Sequence, residues 1–156
     1  MGILVKESLL SVYNVTVIDK NHDGIMALLF SSDVQTDFIV CVCYLPPFNS
    51  VRAEFSAHLT SLLYSNSNCN AIFLCGDFNA RIGDVIDTTS IDDLQLPRQV
   101  IDMTRNSYCN VFIDFLKDCK LCILNGRITQ GLNDYTFFSS RGKSVVDYFL
   151  TSYENI

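Results

Sequence analysis

The sequence predicts an α/β fold, and three observations carry that prediction. Short, strongly apolar runs alternate with stretches in which apolar residues recur at helical spacing. Hydrophobic residues make up 49% of the 156 and charged residues 18%, with eleven Phe and seven Tyr, a composition able to bury a core. No repeat, low-complexity block or charge run interrupts the pattern, so residues 1–156 are expected to form one domain.

The elements follow in order. Two short apolar stretches occupy the first 24 residues and end at Asn21-His22-Asp23-Gly24, a turn signal. Residues 25–30 read as a strand. Residues 37–45 read as a second, apolar at nearly every position, as expected when both faces are covered. Pro46-Pro47 ends it, because proline cannot donate to a ladder. Val51, Phe55, Leu59, Leu62 and Leu63 share one helical face, which predicts an amphipathic helix over 50–64. A buried strand over 71–75 then runs into Gly76-Asp77-Phe78-Asn79. Residues 80–105 show no clean period and read as a long surface loop, of the kind that is usually functional or mobile. Val111, Phe112, Phe115 and Leu116 predict a helix over 107–119. Strands are expected over 121–124, 135–138 and 145–150.

Composition also excludes. No apolar run approaches the roughly 18 residues that a membrane span needs, and the start has no charged segment followed by an apolar one, so no signal peptide is expected. Cys119 and Cys122 have C-x-x-C spacing, but there is no second such pair to complete a zinc site. The seven Cys therefore read as reduced thiols, mostly packed in apolar strands, and the protein as intracellular (nuclear or cytoplasmic), not secreted. A net charge of −6 argues against a sequence-independent nucleic-acid binder, yet leaves room for an enzyme that meets phosphate through a carboxylate-held cation.

Three places carry candidate chemistry. In Leu74-Cys75-Gly76-Asp77-Phe78-Asn79 a hydrophobic strand delivers Asp and Asn two residues apart at its end. The strand period of two sends Asp77 and Asn79 to one side and Phe78 to the other. The carboxylate can accept a proton from water or hold a hard cation, and the amide can donate to a phosphoryl oxygen as charge develops. The competing reading is an Asx-turn after a buried strand. Tyr44 ends another buried strand, where a phenol can donate to a phosphate oxygen or simply line the rim. Asp147 lies within the apolar run Val145-Val146-Asp147-Tyr148-Phe149-Leu150, so it is either a buried carboxylate in need of a partner or an edge residue in water.

Taken together, Tyr44-Leu45-Pro46-Pro47, Gly76-Asp77-Phe78-Asn79-Ala80-Arg81, Leu124-Asn125-Gly126-Arg127, Tyr135-Thr136-Phe137 and Ser144-Val145-Val146-Asp147-Tyr148 resemble the endonuclease/exonuclease/phosphatase (DNase I-like) superfamily. More closely, they resemble the endonuclease domains of LINE-type non-LTR retrotransposons. The resemblance implies a four-layer sandwich of two β-sheets flanked by helices, of which this chain would be the middle, truncated at both termini. It also implies Mg²⁺-dependent phosphodiester hydrolysis, with Mn²⁺ able to substitute, acting on DNA, in a parent protein that carries a reverse transcriptase. Asp77 would activate water and touch the metal, Asn79 would steady the pentavalent phosphate, Tyr44 and Thr136 would meet the phosphate, and Asp147 would orient a histidine. That histidine sits in a Ser-Asp-His run that these residues do not contain, and neither His22 nor His58 takes its position. No residue matches the family's upstream metal-binding Glu, Glu7 included. The chain alone is thus expected not to nick DNA. Two alternatives stand beside this reading: a non-catalytic remnant or interaction domain, and a superfamily phosphatase acting on a phosphorylated lipid or sugar.

Overall fold

A computed structural model describes residues 1–20, 24–47, 49–88, 97–127 and 134–156. The turn expected at Asn21-His22-Asp23 falls outside these residues, as does the centre of the 80–105 loop. The chain groups into two units, Met1–Gly76 and Asp77–Ile156.

In the first unit a one-turn helix α1 (Glu7–Leu10) precedes β1 (Asn14–Asp19), and β2 (Ile25–Ser31) and β3 (Phe38–Tyr44) follow. The three strands pair antiparallel in sequence order, with a register shift between Val17 and Asp19, and β4 (Ala71–Asp77) lies beyond β3. Along β3, Ile39, Cys41 and Cys43 are fully buried while Val40 and Val42 are half-buried. One face thus packs completely and the other partly, close to the two-sided burial that its unbroken apolar run predicts. Helix α2 (Asn49–Ser65) joins β3 to β4, one residue longer at each end than expected, and buries Phe55, Leu59 and Leu63. His58 on α2 pairs through Nε2 with the buried carboxylate of Asp19 at the end of β1. This histidine is therefore engaged within the first unit.

In the second unit, helix α3 (Cys109–Asp118) turns Phe112, Ile113, Phe115 and Leu116 inward. The ring of Phe112 lies 4.8 Å from that of Phe78 and 5.4 Å from that of Tyr148. Strands β5 (Leu121–Ile123) and β8 (Asp147–Ser152) pair antiparallel, Cys122 opposite Thr151. Between them β6 (Phe137–Ser139) and β7 (Gly142–Ser144) form a separate hairpin. This hairpin corrects the sequence expectation. The strand expected over 135–138 begins two residues later, and β7 was not expected, because Gly142-Lys143-Ser144 has no apolar alternation and β6 is exposed at every position. The strand expected over 145–150 is displaced to Asp147–Ser152, so Asp147 opens it and is only half-buried. Its carboxylate is thereby spared the cost of full desolvation.

A buried ion pair holds the base of the long loop. Arg127 meets Asp87, and its Nε donates to Ile123 O at 2.7 Å, while Asp87 Oδ2 accepts from Ile123 N–H at 2.7 Å. Both side chains are almost wholly out of water, so removing one strands the other charge in the interior. Asp87→Ala should therefore cost about 3–5 kcal/mol in urea unfolding. Gly76 is a second sensitive point. Its φ is +141°, and a Cβ there would lie 1.8 Å from Cys43 O. Gly76→Ala should lower stability by about 3 kcal/mol or prevent folding, read by thermal unfolding.

Candidate active site

The second unit brings together four of the five residues singled out from sequence: Asp77, Asn79, Thr136 and Asp147. Asp77 is the last residue of β4. Its Oδ1 accepts the Asn79 backbone N–H at 2.8 Å, and Asn79 Nδ2 approaches its Oδ2 at 3.3 Å. The Asx-turn weighed against a functional reading is therefore present, and it is the device that sets the two polar side chains beside each other. The expected mechanism of strand alternation stops at Asp77, because Asn79 adopts φ +48°, a left-handed conformation that Asn tolerates better than most residues. Phe78, only 1% exposed, anchors the turn by packing its ring inward.

Phe78 N–H donates to Val146 O at 3.0 Å, which places the Asp77–Asn79 turn against the entry of β8. At that entry Thr136 Oγ1 accepts from the backbone N–H groups of Val146 at 3.0 Å and Asp147 at 3.1 Å. The Asp147 carboxylate makes no hydrogen bond or ion pair among the described residues. Tyr44, 47% exposed at the end of β3, belongs to the first unit, where its N–H donates to Gly24 O at 2.8 Å.

Several residues that support the site carried no assigned role in the sequence. Asp102 accepts both arms of the Arg81 guanidinium, at 2.9 and 2.7 Å, and also the N–H groups of Val145 and Thr104. Tyr148 Oη, buried, lies 2.8 Å from Ala80 O and 3.0 Å from Val145 O. Burial pushes the Tyr148 phenol well above its ordinary value, so it stays a neutral donor. Asn106 and Asn125 bond the main chain of the two segments that carry Asn79 and Asp147. A long loop followed by a helix start gives Asn106 only the signature of a helix cap, so sequence had little means of finding its second role.

Of these residues Asp77 is the one whose carboxylate could meet a hard cation, whose other ligands would then come from water and phosphate. Among the described residues no group of three or more His, Cys, Asp or Glu is placed to hold a metal ion. All seven cysteines are free thiols. Cys122, of the C-x-x-C pair, has its thiol pushed up to about 11 by burial and is a neutral group in the core. Among the described residues no helix is long and apolar enough to cross a membrane.

Residues 38–156 match the model of the endonuclease-reverse transcriptase family, and the chain belongs to that family, within the DNase I-like endonuclease/exonuclease/phosphatase superfamily. The structure is similar to the endonuclease domain of TRAS1, a telomere-specific non-LTR retrotransposon. The TM-score is 0.60 at 14% identity, over 92% of this chain and 55% of that one. It is also similar to the 3'-5' exonuclease NExo from Neisseria meningitidis, with TM-score 0.54 at 16% identity, over 90% of this chain and 57% of that one. These likenesses establish the α/β, DNase I-like fold, and the chain spans a little over half the length of each of these relatives. Among curated proteins none matches the chain.

The Arg81–Asp102 pair gives the site a pH dependence. Burial works against the Asp102 charge, but the Arg81 fork and the Val145 and Thr104 N–H groups outweigh it and hold the carboxyl below its ordinary value. A carboxyl depressed in the folded state stabilises fully above its unfolded pKa and loses that contribution as pH falls through the folded one. Urea midpoints should accordingly be flat near neutrality and drop below about pH 4. In Asp102→Asn the neutral-pH midpoint should be lower and the acid limb shallower.

Proposed function

We propose that the chain contributes the catalytic centre of a Mg²⁺-dependent DNA-nicking endonuclease in a retroelement-derived protein that also carries a reverse transcriptase. The observation that carries this reading is the Phe78 N–H to Val146 O bond, which assembles Asp77, Asn79, Thr136 and Asp147 in one place. Family membership and the DNA-acting relatives support it.

Asp77 is the acceptor for a proton from attacking water and an oxygen ligand for Mg²⁺. Bound there, the cation would neutralise charge on the phosphoryl oxygens. Asn79 presents a carboxamide donor to the phosphoryl group as negative charge grows on it. Thr136 holds the backbone N–H of Asp147 at the β8 entry, and the Asp147 carboxylate would orient a histidine donor. Tyr44 contributes a phenol to phosphate binding. The β6–β7 hairpin flanks Thr136 with exposed aromatics and cations. Phe137 and Phe138 are 52% and 66% exposed, Arg141 is exposed, and Lys143 Nζ sits 4.0 Å from the Tyr135 ring centroid. Aromatic faces and cations side by side suit a nucleic-acid strand, and they set a locally favourable surface against the net charge of −6.

Supercoiled-plasmid nicking with Mg²⁺ tests the proposal in the longest open reading frame that carries this chain. Asp77→Ala should reduce nicking by about 10³-fold, and Asn79→Ala by about 10²-fold. Chelation should abolish it. The 156-residue chain by itself, which contains no Ser-Asp-His run, is expected not to nick. Nicking by the longer frame that survives Asp77→Ala would remove this centre from the reaction.

A further inference from the structure

Two asparagines outside the Asp77–Asn79 turn make the same set of contacts with the two segments that carry the site. Asn106 Nδ2 donates to Asn79 O at 2.9 Å, and Asn106 Oδ1 accepts from Arg81 N–H at 3.1 Å. Asn125 Nδ2 donates to Asp147 O at 3.2 Å, and Asn125 Oδ1 accepts from Phe149 N–H at 2.8 Å. In both cases a side-chain amide bonds the carbonyl of residue i and the N–H of residue i+2, as a neighbouring strand would. A main-chain bond completes each contact, Asn106 N–H to Arg81 O at 3.0 Å and Leu124 N–H to Phe149 O at 2.8 Å. The residues thus bracketed, Ala80 and Tyr148, are themselves joined through the Tyr148 hydroxyl.

This arrangement has a chemical consequence. Asn79 needs a left-handed backbone, which is uphill for a residue with a Cβ unless its surroundings enforce it. The Asp77 carboxylate fixes the N–H on one side of Asn79, and Asn106 fixes the carbonyl on the other. At the other segment Thr136 holds the N–H of Asp147 and Asn125 holds its carbonyl. Each functional side chain therefore leaves a backbone pinned on both sides. A carboxamide is the smallest neutral group that offers a donor and an acceptor at the spacing the bracket requires.

We infer that Asn106 and Asn125 are positioning residues that hold Asn79 and Asp147 in register for phosphodiester cleavage, an inference that rests on the endonuclease reading. Asn106 has a second, separable task, since its Oδ1 also accepts the Tyr108 N–H and its carbonyl accepts the Cys109 N–H at the start of α3. Asn106→Asp keeps the acceptor for α3 and for Arg81 but replaces the donor to Asn79 O with a second oxygen. It therefore removes the bracket and spares the helix start. Asn125→Asp does the same at Asp147 O. Asn110→Asp, exposed on α3, controls for the added charge.

The first measurement is made on the chain itself by ¹⁵N-resolved NMR. A strong intraresidue HN–Hα cross-peak marks the left-handed Asn79. It should weaken in Asn106→Asp and persist in Asn110→Asp, with the α3 resonances unmoved. A cross-peak unchanged in Asn106→Asp overturns the bracket, whether or not the protein cleaves DNA. The second measurement is nicking kinetics in the longest frame that carries the chain. Asn106→Asp and Asn125→Asp should each lower kcat about 10- to 100-fold with KM within about threefold. In an Asn79→Ala background Asn106→Asp should add less than about twofold, because it acts through the residue already removed. Unchanged kcat, or a loss that multiplies fully with that of Asn79→Ala, overturns the positioning role. A wild-type frame that fails to nick sinks the endonuclease reading instead, and the NMR result then decides the bracket alone.

Discussion

One main-chain hydrogen bond, from Phe78 N–H to Val146 O, underlies the arrangement of the second unit. It joins the end of β4 to the entry of β8 and so brings Asp77 and Asn79 beside Thr136 and Asp147. The bond is kept dry and directional by packing. The Phe78 ring is buried against Phe112, and Phe112 against Tyr148, so the side chain of the bonded residue is sealed in the core while its flanking residues face outward. A hydrogen bond shielded in this way is expensive to open, because both partners would lose an acceptor or donor without gaining water.

Polar groups elsewhere in the unit repeat this logic. Asp102 gathers Arg81 and Val145, Tyr148 gathers Ala80 and Val145, and Asp87 gathers Arg127 and Ile123. Each spans residues distant in sequence, and each ends on main-chain groups near the site or near the strand that supports it. The interior is thus not a purely apolar core with a polar site laid on its surface. Satisfied polar networks reach into the packing and prescribe where the irregular backbone goes, the use of buried polar groups for which full satisfaction is the condition.

Much of the architecture was legible in the sequence where hydrophobic periodicity was strong. The strands at 38–44 and 71–77 and the helices at 49–65 and 109–118 stand within two residues of their expected bounds, because long apolar patterns leave little choice of face. The β6–β7 hairpin was poorly legible, since its residues are exposed on every side of β6 and carry no alternation. Asp147 shows the same limit at a single residue. An apolar run predicts a strand but not which of its residues comes first, and a shift of two positions decides whether a carboxylate is buried or stands half in water.

By itself the sequence determined the α/β class, the identity of the Asp77 and Asn79 pair, and the membership signalled by five short runs in order. All of these depend on local residue type and spacing, which a chain carries whether or not it is folded. Only the tertiary structure decided that Asn79 is left-handed, that Thr136 and Asp147 stand beside the turn, and that Asn106 and Asn125 brace both. Asn106 to Asn79, Asn125 to Asp147 and Tyr148 to Ala80 are hydrogen bonds between residues 22 to 68 positions apart, and on such separations local pattern has no hold, because the partners meet only when the core between them closes.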